Sequence, residues 1–169
     1  QEVVAHGGLR RVMTASMREA VRVAAASGIR FAPLQGLNDA LLRGFARLPL
    51  WAGQALPSVM SARIGSVPNP GSTLQSIRRG QLTEIDYLNG AVVRAAEAIG
   101  AVAPVAESIG AVAPVNAALV GLVHEVERSG EFLRPSEVVA RVAATVAKLA
   151  ATTVAARVAA SVAARAAAS

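Results

Sequence analysis

The chain has 169 residues, of which 53% are hydrophobic, and this length and composition fit one domain with a sizeable core plus an appendage. Lysine and arginine number 17 against 11 aspartate and glutamate residues, yet the arginines are scattered and not interleaved with aromatic side chains, which argues against a nucleic-acid surface. There is no cysteine, so disulfides, thiolate metal sites and a cysteine nucleophile are excluded.

The composition predicts an all-α protein, because alanine is abundant and β-branched runs of strand length are missing. The longest uncharged run has 17 residues and contains Pro114 and Asn116, whereas a membrane-spanning helix needs about 20 mostly apolar residues. We therefore expect no transmembrane segment. The N-terminus has neither a secretory leader nor an initiator Met, and we expect the chain to be part of a longer protein.

Three helices are predicted in the first 65 residues. Apolar residues recur every three or four positions over 9–24, and Ser27 with Gly28 supplies the left-handed stop that helix ends favour. A second stripe over 37–48 ends before Pro49. A third helix begins near residue 51, is restarted by Ser58 and closes at residue 65.

Two capped helix starts are predicted within residues 71–93. Ser72 with Gln75 matches the capping box, so Ser72 should begin a short helix that Gly80 ends. Thr83 should begin the next helix and place Glu84 in its first turn. A carboxylate in that position is favoured by the helix dipole by roughly 0.3 to 1 kcal/mol. From the pattern alone, Glu84 has either a purely structural role at the start of a helix or a role in binding a ligand. The pattern favours the structural role.

The inward faces of the next two helices follow from their spacing. The helix after Thr83 should bury Ile85, Leu88, Val92 and Ile99. Asn116 should cap a further helix over 117–128 that buries Leu119, Leu122, Val123 and Val126.

A ten-residue segment is written twice in succession, as AEAIGAVAPV over 96–105 and AESIGAVAPV over 106–115. One tandem copy is too little for a solenoid. We interpret it as an insertion that the chain absorbs in a loop, with a functional repeat as the less favoured alternative.

From residue 135 the sequence becomes rich in alanine and valine, with Lys148 and three arginines. This predicts a domain over 1–134 and a basic helical tail over 135–169. The tail's valines form two stripes rotated from one another, so one straight helix cannot bury both. A frayed or helical extension is the simplest interpretation, and a basic amphipathic helix that packs on a partner or a membrane surface is the alternative.

Histidine does not point to a metal or a catalytic triad. His124 lies near Glu125 and Glu127, but the only other histidine, His6, is far away in the sequence. Convergent ligands for zinc are therefore not expected.

The segment GSTLQSIRRGQLTEIDYLNGAVVRAAEAIG, followed by APVNAALVGLVHEVE, resembles the C-terminal domain of the ketopantoate reductase (2-dehydropantoate 2-reductase) family. The resemblance covers roughly residues 10 to 134, with weaker similarity at MTASMREAVRVAAASGI near its start. It implies a helical bundle of the 6-phosphogluconate dehydrogenase C-terminal-like type. Members of the family carry one copy of the GAVAPV region, and many have Asp where this chain has Ser76.

The resemblance also implies a function. With an N-terminal Rossmann domain, such a helical domain closes over NADPH and a 2-keto acid, and the ketone is reduced during pantothenate biosynthesis in the cytoplasm. The substrate-holding serine of the family matches Ser72, its hydroxyl-binding glutamate matches Glu84, and a further glutamate near the site matches Glu19. A homodimer is compatible with the family, and neither nucleic acid nor membrane is expected as a partner.

The chain departs from a complete reductase in two ways. The family's proton-donating lysine has no counterpart, since Lys148 lies in the tail, and no Gly-x-Gly-x-x-Gly dinucleotide fingerprint occurs. We therefore expect no catalytic residue and no reductase activity in the 169 residues alone. The rival hypothesis is a non-catalytic helical module whose basic tail binds a partner or an anionic surface.

Overall fold

The computed structural model describes residues 2–33, 36–64, 71–102 and 113–167. These residues form helices joined by short turns, without a β-strand among them, which confirms the all-α prediction. In chain order the helices are α1 (Glu2–Ala5), α2 (Gly7–Ala26), α3 (Asp39–Arg47), α4 (Leu50–Gly53), α5 (Ala55–Ile64), α6 (Ser72–Arg78), α7 (Ile85–Val102), α8 (Pro114–Ser129) and α9 (Pro135–Ala167).

Helix α2 is the centre of the bundle, and α3, α7, α8 and α9 all pack against it. The ring nitrogen of His6 begins it by accepting a hydrogen bond from the Leu9 amide at 3.3 Å. The predicted end is confirmed, because Gly28 takes a φ of 72° and the next amide, that of Ile29, returns to the Ala24 carbonyl at 2.9 Å.

Three apolar clusters surround α2. One joins α8 to α9 through Val115, Ala118, Leu122 and Val142. A second joins α2 to α3 through Val21, Phe45 and Ala46, and a third joins α2 to α7 through Val23, Ala96 and Ala113. Because α2 contributes residues to all three clusters, most of the bundle depends on this one helix for its packing.

Helix α3 begins at a side-chain cap and ends against two arginines. The Asn38 side chain accepts a hydrogen bond from the Leu41 amide at 2.9 Å. At the other end, the guanidinium groups of Arg18 and Arg22 on α2 both donate to the Ala46 carbonyl. Helix carbonyls left over at a C-terminus attract cations, so these two arginines fix the end of α3 on α2.

Helix α9 runs unbroken from Pro135 to Ala167. Val142 is buried against α8, and Val138 and Val146 pack beside it. The first part of α9, beyond residue 134, therefore packs with the other helices. The division into a domain over 1–134 and a tail over 135–169 is not tested by this packing and stays a prediction. Half of the duplicated segment, residues 103–112, lies outside the described residues, so its interpretation as a loop insertion stays a prediction.

Within the described ranges, none of the helices is long and apolar enough to cross a bilayer.

Candidate functional site

Ser72 is the first residue of α6, not its cap. The Gly71 carbonyl accepts the first bond of the helix, from the Gln75 amide at 3.2 Å, and no side chain caps this end. The predicted capping box was therefore wrong by one residue. As a consequence the Ser72 side chain, which is exposed, has no capping role and is available to a ligand.

Helix α6 ends where the sequence predicted. Gly80 has a φ of 65°, its amide donates to the Ile77 carbonyl at 3.0 Å, and the Gln81 amide donates to the Ser76 carbonyl at 2.9 Å. This pair of bonds is a Schellman motif, which needs a left-handed residue after the helix and so favours glycine. The turn reverses the chain from α6 towards α7.

Glu84 immediately precedes α7 and occupies its N-cap position. Its carbonyl accepts bonds from the Tyr87 and Leu88 amides, both at 3.0 Å, while its side chain is exposed. It lies one residue before the predicted first turn. The neighbouring residues are anchored: the buried Thr83 donates its amide to Glu127 on α8 at 2.7 Å, and Ile85 is buried.

The prediction that Thr83 begins α7 was wrong by one residue, because Glu84 is the N-cap. The Thr83 hydroxyl still accepts a bond from the Ile85 amide at 3.3 Å. Glu84 therefore has a backbone held from both sides and a carboxylate that faces solvent. This arrangement fixes the position of the Glu84 residue and leaves its carboxylate oxygens accessible as hydrogen-bond acceptors.

The third candidate, Glu19, has different surroundings. Its side chain is only 8% exposed and accepts bonds from the Val115 and Asn116 amides, both at 2.9 Å, and from the Asn116 side-chain amide at 2.7 Å. Burial raises the pKa of this carboxyl, and the three hydrogen bonds act in the opposite direction. Glu19 on α2 therefore caps the N-terminus of α8.

The predicted cap of α8 was wrong. The helix begins at Pro114, whose missing N–H costs nothing in the first turn, so Asn116 lies inside the helix. Asn116 instead accepts hydrogen bonds from Ser16 at 2.9 Å and Asn89 at 2.8 Å. The sequence offered only a weak signal for this network, namely polar residues at helix positions that face the core.

One inward residue of α7 was also assigned wrongly. Leu88 is 56% exposed, and Asn89 points towards Ser16 and Asn116 in its place. Leu82 and Tyr87, which are 86% and 82% exposed, are like Leu88 large apolar residues within four positions of Glu84. The other three predicted positions, Ile85, Val92 and Ile99, do pack in the interior.

The three predicted site residues are not joined to one another. Ser72 and Glu84 lie at the starts of consecutive helices, both exposed, whereas Glu19 lies inside the bundle between α2 and α8. Among the described side chains, no hydrogen bond or ion pair links any two of the three. Their assignment to substrate stays a prediction.

Histidine and acidic side chains do not converge on a metal site in the part of the chain that the structure describes. His124 lies 3.2 Å from Asp86, and this contact joins the start of α7 to α8.

A family model described as "Ketopantoate reductase PanE/ApbA C terminal" matches residues 1–127. The chain belongs to this family. The match extends over Glu19, Ser72 and Glu84 and ends two residues before the end of α8. No curated protein and no solved structure matches the chain.

Membership of the ketopantoate reductase C-terminal family accounts for the helical architecture and confirms the resemblance seen in the sequence. Helix α9 begins after the matched region, at Pro135. Lys148, the only lysine, lies on α9 and so outside the ketopantoate reductase match.

Proposed function

We propose that this chain is the substrate-binding helical domain of an NADPH-dependent reductase that converts a 2-keto acid to a 2-hydroxy acid. The observation that carries the proposal is the family match over residues 1–127 together with the positions of Ser72 and Glu84. Both side chains are exposed at helix starts within that match.

The two side chains supply complementary chemistry. The Ser72 hydroxyl donates a hydrogen bond to a carboxylate oxygen, and the Glu84 carboxylate accepts one from a substrate hydroxyl. A hydroxylated 2-keto acid presents both groups. Arg78 and Arg79, exposed near the same turn, add positive charge that favours an anionic substrate.

The exposure of Leu82, Tyr87 and Leu88 beside Glu84 supports the view that a second domain completes the site. Large apolar side chains gathered at the surface mark places that another surface covers. In this proposal that surface belongs to a dinucleotide-binding domain, which would hold NADPH, the source of the hydride. The 169 residues contain no Gly-x-Gly-x-x-Gly fingerprint, so we assign none of them to the cofactor.

The proposal includes catalytic incompleteness. We expect no NADPH oxidation when the 169-residue chain is mixed with ketopantoate, because no residue matching the family lysine is available to protonate the developing alkoxide. Oxidation of NADPH above the rate without protein, measured by absorbance, would contradict this. Cytoplasmic location, pantothenate biosynthesis, and a homodimer remain predictions of the same hypothesis.

Substrate binding is tested by titrating the ¹⁵N-labelled chain with ketopantoate and following amide chemical shifts. Saturable shifts centred on the starts of α6 and α7 are expected, weakened in Ser72→Ala and Glu84→Gln. Glu97→Gln is the matched control, because Glu97 is also an exposed carboxylate but lies on α7 about three and a half turns beyond Glu84. Equal weakening in Glu84→Gln and Glu97→Gln would overturn the assignment.

A further inference from the structure

A groove between α2 and α3 is lined by three arginines. It encloses about 250 Å³ and opens to solvent. Its walls are Val21, Arg22, Ala25, Arg43, Ala46 and Arg47. None of the three predicted substrate residues lies in it, so an experiment on the groove is independent of the proposed function.

Positive charge is concentrated around this groove beyond the three lining arginines. Arg18, one turn from Arg22 on α2, donates to the same Ala46 carbonyl. Burial, and then repulsion from Arg22, lower the pKa of Arg18. Two guanidinium groups are thus brought together on a neutral carbonyl oxygen, which offsets only part of their repulsion.

Among the described residues, Asp39 is the carboxylate that forms a salt bridge with a lining arginine, and its oxygens are already hydrogen-bonded. Asp39 accepts a bond from Arg43 at 2.6 Å and another from the Phe31 amide at 3.0 Å. Hydrogen bonding to Arg43 lowers the pKa of Asp39, which keeps the carboxylate ionised. Glu19 also interacts electrostatically with Arg22. The three lining arginines and Arg18 outnumber these two carboxylates, so the groove retains a positive excess.

Hydrogen-bond donors are also left over. A guanidinium has five N–H donors. Arg22 uses its Nε and one terminal nitrogen on Ala46, and Arg43 uses the same two nitrogens on Asp39 and the Ile29 carbonyl. Arg47 is exposed and makes no hydrogen bond or ion pair to another described residue. Capping of α3 explains the contacts of Arg18 and Arg22 but leaves Arg47 and these spare donors without a role.

We propose that this groove binds a small molecule through a phosphate group. A phosphate carries roughly two negative charges at neutral pH and presents three acceptor oxygens, which suits a groove lined by three arginines better than a carboxylate does. Val21, Ala25 and Ala46 give the groove an apolar wall, against which the non-phosphate part of the ligand would lie.

The test is calorimetric titration of the 169-residue chain at low salt with two phosphate-bearing probes, AMP and glycerol 3-phosphate. Saturable one-to-one binding of at least one probe is expected. Tighter binding of AMP would indicate a nucleotide as the ligand class, and similar binding of both would indicate that the phosphate alone is recognised.

Two variants locate the binding. Arg47→Gln should weaken it about three- to tenfold, as expected for the loss of one solvent-accessible charge contact. Ala25→Glu places a carboxylate among the arginines and should abolish binding while circular dichroism stays unchanged. Arg11→Gln is the matched control, because Arg11 is an exposed arginine of α2 that does not line the groove.

Absence of saturable binding by either probe would overturn the proposal. An equal loss in Arg11→Gln and Arg47→Gln would also overturn it, because it would show that the chain attracts anions only through its overall charge of +6.

Discussion

Glu19 and Glu84 place the same functional group in two different regions of the molecule. At the junction of α2 and α8, Glu19 is buried and its carboxylate accepts three hydrogen bonds. At the start of α7, Glu84 is exposed and only its backbone is fixed. Both glutamates lie within the matched family region, so the comparison separates a carboxylate that holds the fold together from one that is free to bind a ligand.

The largest expected effect is on stability at the buried junction. Glu19→Ala should lower the free energy of unfolding by about 3 kcal/mol, because it removes a charged acceptor and leaves the Val115 and Asn116 amides buried without a partner. Glu84→Ala should change it by less than about 0.5 kcal/mol. Urea denaturation of both variants measures the difference, and similar losses would remove the distinction between the two regions.

A smaller loss of stability is expected at Asn89, which bonds to Asn116 in the same hydrogen-bond network. Asn89→Ala should cost about 1 kcal/mol, because the Asn116 side-chain oxygen loses one donor but keeps the Ser16 hydroxyl at 2.9 Å. Leu88→Ala is the control on the adjacent, exposed position and should have little effect. If Leu88→Ala were the more damaging of the two in urea denaturation, the assignment of Asn89 to the inner face would be wrong.

The smallest effect concerns pH. Because the folded-state pKa of Glu19 lies above its usual 4.5, this group contributes stability that is present below that value and is lost as pH rises through the raised pKa. Wild type should therefore lose stability relative to Glu19→Gln as pH rises from about 4.5 towards neutrality.

The free energies of unfolding of wild type and Glu19→Gln are compared at each pH, so the contributions of other carboxylates cancel. The pKa values of Asp39, Glu125 and Glu137 are lowered, mainly by hydrogen bonds from arginine side chains, so their stabilising contributions are instead lost as pH falls. A difference between wild type and Glu19→Gln that is constant over this pH range, or that grows in favour of wild type, would contradict the prediction.

Local signals in the sequence predicted local structure well. Ser27 with Gly28 and the glycine at position 80 located two helix ends, because a left-handed residue after a helix is a property of a few adjacent residues. The start of α7 was predicted to within one residue, because it too depends on neighbouring side chains such as Thr83.

Errors arose where a partner distant in sequence decides the outcome. Asn116 was predicted to cap α8, but Glu19 from α2 takes that role and leaves Asn116 for the polar network. Leu88 was predicted to face inward, yet a shift of one residue, about 100° around the helix, brings Asn89 to its partners instead. Neither partner could be identified from the spacing within one helix.

The position of the Glu19 cap has a consequence for cooperativity. The amides of Val115 and Asn116 bond a side chain nearly a hundred positions earlier in the chain, so the first turn of α8 has its free amides satisfied only when α2 is docked. Hydrogen–deuterium exchange at these two amides should therefore require opening of the whole bundle, not local fraying of a helix end.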